Sequence, residues 1–470
     1  MVVVWSLCYG MCNFRWDECM AWTLHFQDGT LLVEGAALAD LPSGFRWDER
    51  MRMPRGPAYM YGDIIYKALQ LKIEYTDNAS TWLPLDTPQG TERTPRQYQS
   101  EAVQAWINNK RRGVICLPTG SGKTFVAEMC ITRTKRPTLV VAPTLDLVGQ
   151  WYDRLKMVFQ QEVGILGGGH HEILPLTVTT YDSAHLYLAK YGARFCCLIF
   201  DEVHHLPAPA YLEATKGSLA PFRLGLTATL EREDGRETLL EPLVGPVVYR
   251  KEITELSGNF LADYETERVM VKLTEQERCE YDAHRKAYTG FIERKNINMR
   301  GGWNQFIKVA ARSKEGRAAF LGHRQAKMIA QSAVGKVEMV DRLLQRHRGQ
   351  RMIIFTNDNM TAYQISSLFL IPCITHQTKI KERRQLISKF TDGSLPVLVT
   401  SRVLNEGVDL PSAEVAIVMS GTGTVREHVQ RLGRILRPSE GKHAVLYELV
   451  AQDTAEEYTS RRRRRHDAYK

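Results

Sequence analysis

Two clusters in this 470-residue chain combine residue types that handle phosphate. The first is Leu117-Pro-Thr-Gly-Ser-Gly-Lys-Thr124, between the apolar run Gly113-Val-Ile-Cys116 and Phe125-Val-Ala-Glu-Met-Cys-Ile131, which reads as a buried helix. Strand, glycine-rich turn and helix together predict a phosphate-binding loop. Gly120 and Gly122 let backbone N–H groups curl toward a phosphate with no Cβ in the way. Pro118, Thr119 and Ser121 complete the turn. Lys123 is expected on the β- and γ-phosphates, and Thr124 on Mg²⁺. Leu117 stands where the general pattern has its first glycine. The second cluster is Leu198-Ile-Phe-Asp-Glu-Val-His-His205. Three apolar residues make a strand, and the acids sit at its carboxyl end, where parallel sheets bind ligands. Asp201 is expected to hold Mg²⁺ and Glu202 to polarise an attacking water. His204 and His205 lack a third ligand at metal spacing.

Leu226-Thr-Ala-Thr229 follows the next strand. Thr227 and Thr229 can hydrogen-bond the acid cluster and relay its state. Phosphoryl transfer also needs positive charge at the transition state. Gln430-Arg-Leu-Gly-Arg-Ile-Leu-Arg437 reads as a helix with Arg434 and Arg437 on one side. As arginine fingers from a second domain they would contribute roughly 10³–10⁵ in rate.

These residues need elements to position them. Val114–Leu117, Thr138–Ala142, Leu176–Thr179, Cys197–Phe200 and Arg223–Leu226 are short apolar runs separated by helical stretches, the pattern of a parallel α/β domain. The pattern resumes with Met352–Thr356, Val397–Thr400, Val415–Met419 and Ala444–Tyr447, a second such domain. Between them, residues 274–330 read as long basic helices with a turn at Gly301-Gly302. The expected division is a small α+β N-terminal domain over 1–90, in which 1–19 read as an appended start, α/β domains over 91–255 and 256–450, the second carrying the basic insertion 274–330, and a basic tail over 451–470. Asp28-Gly29 between alternating segments predicts a hairpin. Trp47, Tyr59 and Tyr61 can stack on bases or fill a small core.

The net charge is +9. From His284 to Lys327 there are eleven Lys or Arg against Glu293 and Glu315, a local excess of nine, so the rest of the chain is near neutral. A basic stripe of this kind predicts a polyanion partner, and Arg294, Lys295 and Arg300 are candidates for its contacts. Nine scattered cysteines predict free thiols. Without a bilayer-length apolar run or a basic signal sequence, a cytoplasmic, nucleoid-associated location in a prokaryotic cell is expected, with no membrane partner.

The series resembles a superfamily 2 helicase with two RecA-like domains over about 93–450. Pro-Thr-Gly-Ser-Gly-Lys-Thr is that superfamily's form of the phosphate loop. The resemblance implies that Arg96 and Gln99 read adenine, that Thr144, Thr179, Thr356 and Thr400 hold the phosphates of one tracked strand, and that Asp409, in Glu406-Gly-Val-Asp409, bridges to the nucleotide. Arg232-Glu-Asp234 and the Asp-Glu-Val-His box are similar to those of XPB helicases, with Arg232, Glu233 and Asp234 at the strand-separating edge. The insertion falls where that family carries its thumb, and the N-terminal segment resembles the damage-recognition domain of its short archaeal-type members. The implied activity is a 3′-to-5′ DNA helicase or duplex translocase using ATP and Mg²⁺ in repair or transcription. The implied form is a monomeric motor on duplex or forked DNA with a separate nuclease or repair partner. A non-enzymatic DNA-binding scaffold and a restriction or remodelling motor are the alternatives.

Overall fold

Each predicted apolar run becomes a strand for the same reason: four to six β-branched or aliphatic residues, buried on both faces, pair most cheaply in a parallel sheet. The computed structural model describes residues 21–85, 93–232, 234–256, 263–297, 303–401, 413–420 and 443–463. Among these residues three sheets are present.

The first sheet is small and mostly antiparallel, in the order β3-β4-β2-β1-β5, with β1 Trp22–Gln27, β2 Thr30–Glu34, β3 Arg46–Asp48, β4 Met53–Pro57 and β5 Tyr75–Asp77. The Asp28-Gly29 turn joins β1 to β2 with both residues at positive φ. The helix Tyr61–Leu71 covers this sheet. Tyr61 is a core residue here and Tyr59 packs half-buried against that core, whereas Trp47 is about half exposed.

The second sheet holds both phosphate-handling clusters. Its strands are β6 Arg112–Cys116, β7 Thr138–Ala142, β8 Gly164–Gly167, β9 His170–His171, β10 Leu176–Thr180, β11 Cys197–Asp201, β12 Phe222–Thr227 and β13 Val247–Arg250. Their order is β13-β6-β12-β11-β7-β10-β8-β9. Register aligns the carboxyl ends: Cys116 pairs with Thr227, Asp201 with Leu226, Phe200 with Val141, and Thr180 with Ala142. The loops after β6, β12, β11, β7 and β10 therefore leave from one edge, so loops far apart in sequence become neighbours.

The third sheet is parallel throughout, in the order β14-β19-β18-β15-β17-β16, with β14 Asp263–Val271, β15 Met352–Phe355, β16 Cys373–Ile374, β17 Val397–Thr400, β18 Val415–Val418 and β19 His443–Ala451. The architecture is two parallel α/β domains with a small N-terminal domain, as the patterning predicts, and RecA-like, as the resemblance implies. Strand β14 was not visible as a strand in the sequence. Along it Tyr264, Thr266 and Arg268 are half buried while Glu265 and Glu267 are exposed, the reading of an edge strand with one wet face.

The basic insertion is the helices Glu275–Arg294, Trp303–Ala310 and Lys314–Gln331. Gly322 permits the close crossing of the two long ones, because a Cβ there would lie 2.9 Å from the His284 carbonyl oxygen. Phe291, Phe306, Ala310 and Ala319 make a separate small core. One side chain joins the two ends of the insertion at its root. Glu277 accepts from the Thr274 N–H at 2.9 Å, closing a capping box, and from the Val334 N–H at 2.9 Å, where the chain leaves the insertion. The ten Lys and Arg described between Arg285 and Lys327 are all exposed.

Candidate active site and nucleic-acid face

The phosphate loop leaves β6 at Cys116 and enters the helix Lys123–Thr134. Gly120 and Gly122 sit at φ +84° and +86°. The left-handed backbone at Gly122 favours glycine, and a Cβ there would lie 2.6 Å from Gln99 Nε2 and push that amide off the loop. Ser121 is buried and its hydroxyl donates to the Pro118 carbonyl at 2.7 Å. The Ser121 carbonyl accepts from the Tyr98 hydroxyl at 2.6 Å and Gln99 Nε2 at 2.8 Å. Gln99 Oε1 accepts from the Arg96 N–H at 3.0 Å. The amide of Gln99 is thus committed at both ends to shaping the loop, and contact with a base requires exchanging one of those bonds.

The Lys123 ammonium turns back over the loop, 3.3 Å from the Leu117 carbonyl and 3.5 Å from that of Pro118. The Thr119 hydroxyl is buried and has no hydrogen-bond partner among the described residues. A buried orphan hydroxyl, loosely bonded ammonium and helix N-terminus in one turn fit an anionic ligand.

Asp201 ends β11 and is nearly buried. Its Oδ2 accepts from the Trp151 indole N–H at 2.9 Å and its Oδ1 from the Glu202 N–H at 3.0 Å. Burial pushes the carboxyl above the usual range, opposed by the Trp151 N–H and the nearby Lys123 charge. With Thr124 in the first turn of the loop helix, the site offers hydroxyl and carboxylate oxygen, the donor set of Mg²⁺.

Glu202 is held at φ +47°, a left-handed conformation costly for a non-glycine residue. Its Oε2 lies 3.4 Å from His204 Nδ1, which is 3.1 Å from the Thr227 hydroxyl. Thr227 donates to the Thr229 carbonyl at 2.7 Å. Arg232 then joins on, donating to the His204 carbonyl and to both Asp234 oxygens at 2.8 Å. A continuous bonded series runs from acid box to Arg232, and Arg232 holds the Asp234 carboxyl well below the usual range.

The chain matches three families in order. The xeroderma pigmentosum group B helicase damage recognition domain covers residues 24–79, the type III restriction enzyme res subunit 92–232, and the helicase conserved C-terminal domain 335–439. The DNA 3′-5′ translocase XPB2 of Sulfurisphaera tokodaii is 41% identical over 434 residues, spanning 92% of this chain and 98% of that protein. The chain belongs to the XPB-type superfamily 2 DNA helicase family. The DNA 3′-5′ helicase XPB of Kineococcus radiotolerans is 31% identical across 78% of this chain and 62% of its own length. The Saccharomyces cerevisiae general transcription and DNA repair factor IIH helicase/translocase subunit XPB/SSL2 is 27% identical across 85% of this chain and 46% of its own. The chain thus spans less than two thirds of these last two relatives.

The residues that the XPB resemblance assigned to DNA are placed unevenly. Thr144 caps the helix Leu145–Phe159, accepting from the Leu147 N–H at 3.3 Å, and is half buried at the sheet edge. Thr179, Thr356 and Thr400 are wholly buried, and their hydroxyls donate to the carbonyls of Leu166, Asp358 and Ser401. A strand phosphate would reach these three hydroxyls only by displacing those internal bonds. Arg294 and Lys295, at the end of the helix Glu275–Arg294, are exposed. Glu233, Arg300, Asp409, Gln430, Arg434 and Arg437 lie outside the described residues, as do residues 1–19 and Gly301-Gly302.

Sequence reasoning missed four side-chain unions. Trp151 meets Asp201. Arg154 meets the wholly buried Glu128 of the phosphate-loop helix, Nη2 to Oε2 at 3.0 Å. Arg383, on the helix Ile380–Thr391 of the second domain, meets Asp146 of the first. Lys336, wholly buried, meets Glu456 at 2.6 Å and the Met419 carbonyl at 2.7 Å. Each is a single residue whose partner lies elsewhere in sequence, so no spacing pattern marks it.

Proposed function

We propose that the chain is an ATP-driven DNA motor of XPB type, a 3′-to-5′ helicase or duplex translocase serving DNA repair or transcription. The observation that carries this reading is the convergence of Lys123, Thr124, Asp201 and Glu202 on one carboxyl edge, with Lys123 near enough to Asp201 for its charge to act there. Lys123 neutralises the β- and γ-phosphates, and Glu202 orients the attacking water. Thr124 and Asp201 hold Mg²⁺, which when bound neutralises charge on the phosphate oxygens. Arg434 and Arg437 supply transition-state charge from the second domain, with Gln430 and Asp409 beside the nucleotide. Nucleotide-gated movement of one α/β domain against the other advances the motor along its strand, a hinge-type switch.

The division of labour follows the predicted domains. Residues 1–90 meet DNA first, 91–255 bind nucleotide, and 256–450 complete the site and carry the thumb over 274–330. The basic residues of the thumb, the exposed Arg294 and Lys295 together with Arg300, grip duplex backbone with salt-dependent affinity. The motor works as a monomer on duplex or forked DNA beside a separate nuclease or repair protein, in the cytoplasm at the nucleoid. No helix of the described residues is long and apolar enough to cross a membrane.

The deciding experiment sets DNA-stimulated ATPase beside strand displacement on 3′-tailed, 5′-tailed and blunt duplex. Stimulated hydrolysis with displacement from the 3′ tail supports the reading. Hydrolysis with movement of a blocked duplex end but no displacement supports translocation instead. Absence of hydrolysis on every substrate removes the motor.

A further inference from the structure

The helix Leu145–Phe159 does more than cover its sheet. It starts at Thr144 on the edge assigned to DNA. Two turns in, Trp151 is 2% exposed and donates its indole N–H to Asp201 Oδ2 at 2.9 Å. Three residues on, Arg154 pairs with Glu128 on the phosphate-loop helix. One face of one helix is therefore fixed to both halves of the nucleotide site.

A buried indole N–H needs an acceptor, and a backbone carbonyl is the usual one. Here the acceptor is the carboxylate that the proposed chemistry needs. Each Asp201 oxygen receives one donor, Trp151 on Oδ2 and the Glu202 N–H on Oδ1, so rotation of the carboxylate about its bond is opposed at both ends. Bonds from neighbouring groups to a metal-holding carboxylate set its orientation.

We propose that Trp151 is a positioning residue whose N–H holds the Asp201 carboxylate in the orientation that takes Mg²⁺. The helix beginning at Thr144 thereby sets the metal site. This rests on the reading of Asp201 as a metal-holding residue. The competing account is a tryptophan that only fills core volume, and the two differ in what loss of the N–H alone does.

The test uses the full chain and two replacements. Trp151→Phe keeps an aromatic ring and removes the N–H. A benzothienylalanine placed at position 151 replaces N–H by sulfur in a ring system of nearly the same shape. Binding of Mn²⁺ in the presence of ADP is followed by electron paramagnetic resonance, and ADP binding in EDTA is measured separately. Both replacements should weaken Mn²⁺ binding by roughly ten- to a hundred-fold, the usual cost of removing such a neighbour. Metal-free ADP affinity and melting temperature of the benzothienyl protein should stay at wild-type values. Wild-type Mn²⁺ affinity in the benzothienyl protein overturns the proposal, whether or not the phenylalanine variant folds. An equal loss of ADP affinity with and without metal overturns it in favour of packing. If Asp201→Asn leaves Mn²⁺ binding unchanged, Asp201 itself is misassigned, a failure distinct from that of Trp151.

Discussion

The two α/β domains share a parallel sheet and a polar carboxyl edge, but they use that edge differently. In the first, among the described residues, the Thr119 hydroxyl is buried without a partner, the Lys123 ammonium reaches two carbonyls at long range, and the Asp201 carboxylate carries one donor per oxygen. In the second, Thr356 bonds Asp358, Thr400 bonds Ser401, and the Asn357 N–H donates to the Ser420 hydroxyl at 2.9 Å. One edge holds bonding capacity in reserve for a ligand, while the described part of the other spends its capacity on its own loops. The domains also treat buried charge differently. Arg223 of the first is wholly buried and satisfied by the carbonyls of Ala220, Leu243 and Ser218 without an acid. Lys336 of the second is wholly buried against an acid, Glu456, on the helix Ala455–Arg463. Residues in reserve at the first edge should therefore govern chemistry more than stability. Residues spent in the second domain should govern stability.

The sharpest way to break that contrast is at Lys123. Lys123→Ala removes a charge aimed at the ligand and no strong bond of the fold. DNA-stimulated phosphate release should fall by about 10³-fold, in the range that loss of one transition-state stabiliser costs. Melting temperature and duplex binding, read by fluorescence anisotropy, should stay near wild type. Hydrolysis at the wild-type rate would take the phosphate loop out of the site.

Lys336→Met tests the other half. Removing one partner of a buried pair leaves the other charge uncompensated, which costs roughly 3–5 kcal/mol. Glu456 is partly exposed and keeps the Ala451 N–H at 3.0 Å, so about 3 kcal/mol is expected, read from urea unfolding followed in the second domain. The double change Lys336→Met with Glu456→Leu should recover most of the loss. If the single change is silent, the second domain is not held by its buried charges.

The first edge was legible in sequence because its chemistry is local. Glycines, lysine and threonine fall within one turn, and Asp201 and Glu202 follow directly on an apolar strand. The parallel sheets were legible because buried strands are continuous apolar runs. What stayed hidden depends on partners that only folding brings together. Trp151 and Asp201 are 50 residues apart, Lys336 and Glu456 are 120. Strand β14 was hidden because an edge strand with a wet face alternates charge with half-buried residues. The bonds of the three buried threonines were hidden too, because a residue type at a strand end does not say whether its hydroxyl points to solvent or back into the loop. Of the two readings open for the aromatics, core packing holds for Tyr61, since a small sheet needs large side chains to fill its core.

The contact that joins the two edges is a finer test. Arg383 and Asp146 pair across the domains, both largely shielded from solvent. Beside them a Cβ at Gly149 would come within 3.1 Å of Arg384 Nη2, so the two helices are in close contact. Arg383→Ala should favour the open arrangement by about 1–2 kcal/mol, more than a surface pair and less than a fully buried one. Dyes on the two domains would report it as a shift of the energy-transfer distribution toward longer distances in the absence of DNA. Asp146→Asn should give the same shift, and the double change no more than either alone. Additive shifts would mean that the two side chains act on closure independently.

The smallest effect concerns the helical insertion, the proposed thumb, which has its own core and a basic surface. His323 lies among the rings of Tyr288 and Trp303, with centroids at 4.7 and 4.5 Å. Burial first, then the Lys327 and Arg285 charges, lower its pKa from the ordinary 6.5. A value depressed in the fold means that the folded thumb prefers the neutral ring. Well above pH 6.5 the ring is neutral in both folded and unfolded chains, so the thumb keeps its full stability. Below that value the unfolded chain takes up the proton more readily, and stability falls as pH drops through the folded value. Hydrogen exchange of the helices Glu275–Arg294 and Lys314–Gln331 should thus quicken relative to the rest of the second domain between pH 7.5 and 5.5, after correction for intrinsic rates. In His323→Phe that differential should vanish while the ring packing remains. The phosphate-loop helix, with no histidine in its core, serves as the internal control. An equal pH response of thumb and control helix would show that the thumb core carries no titration of its own.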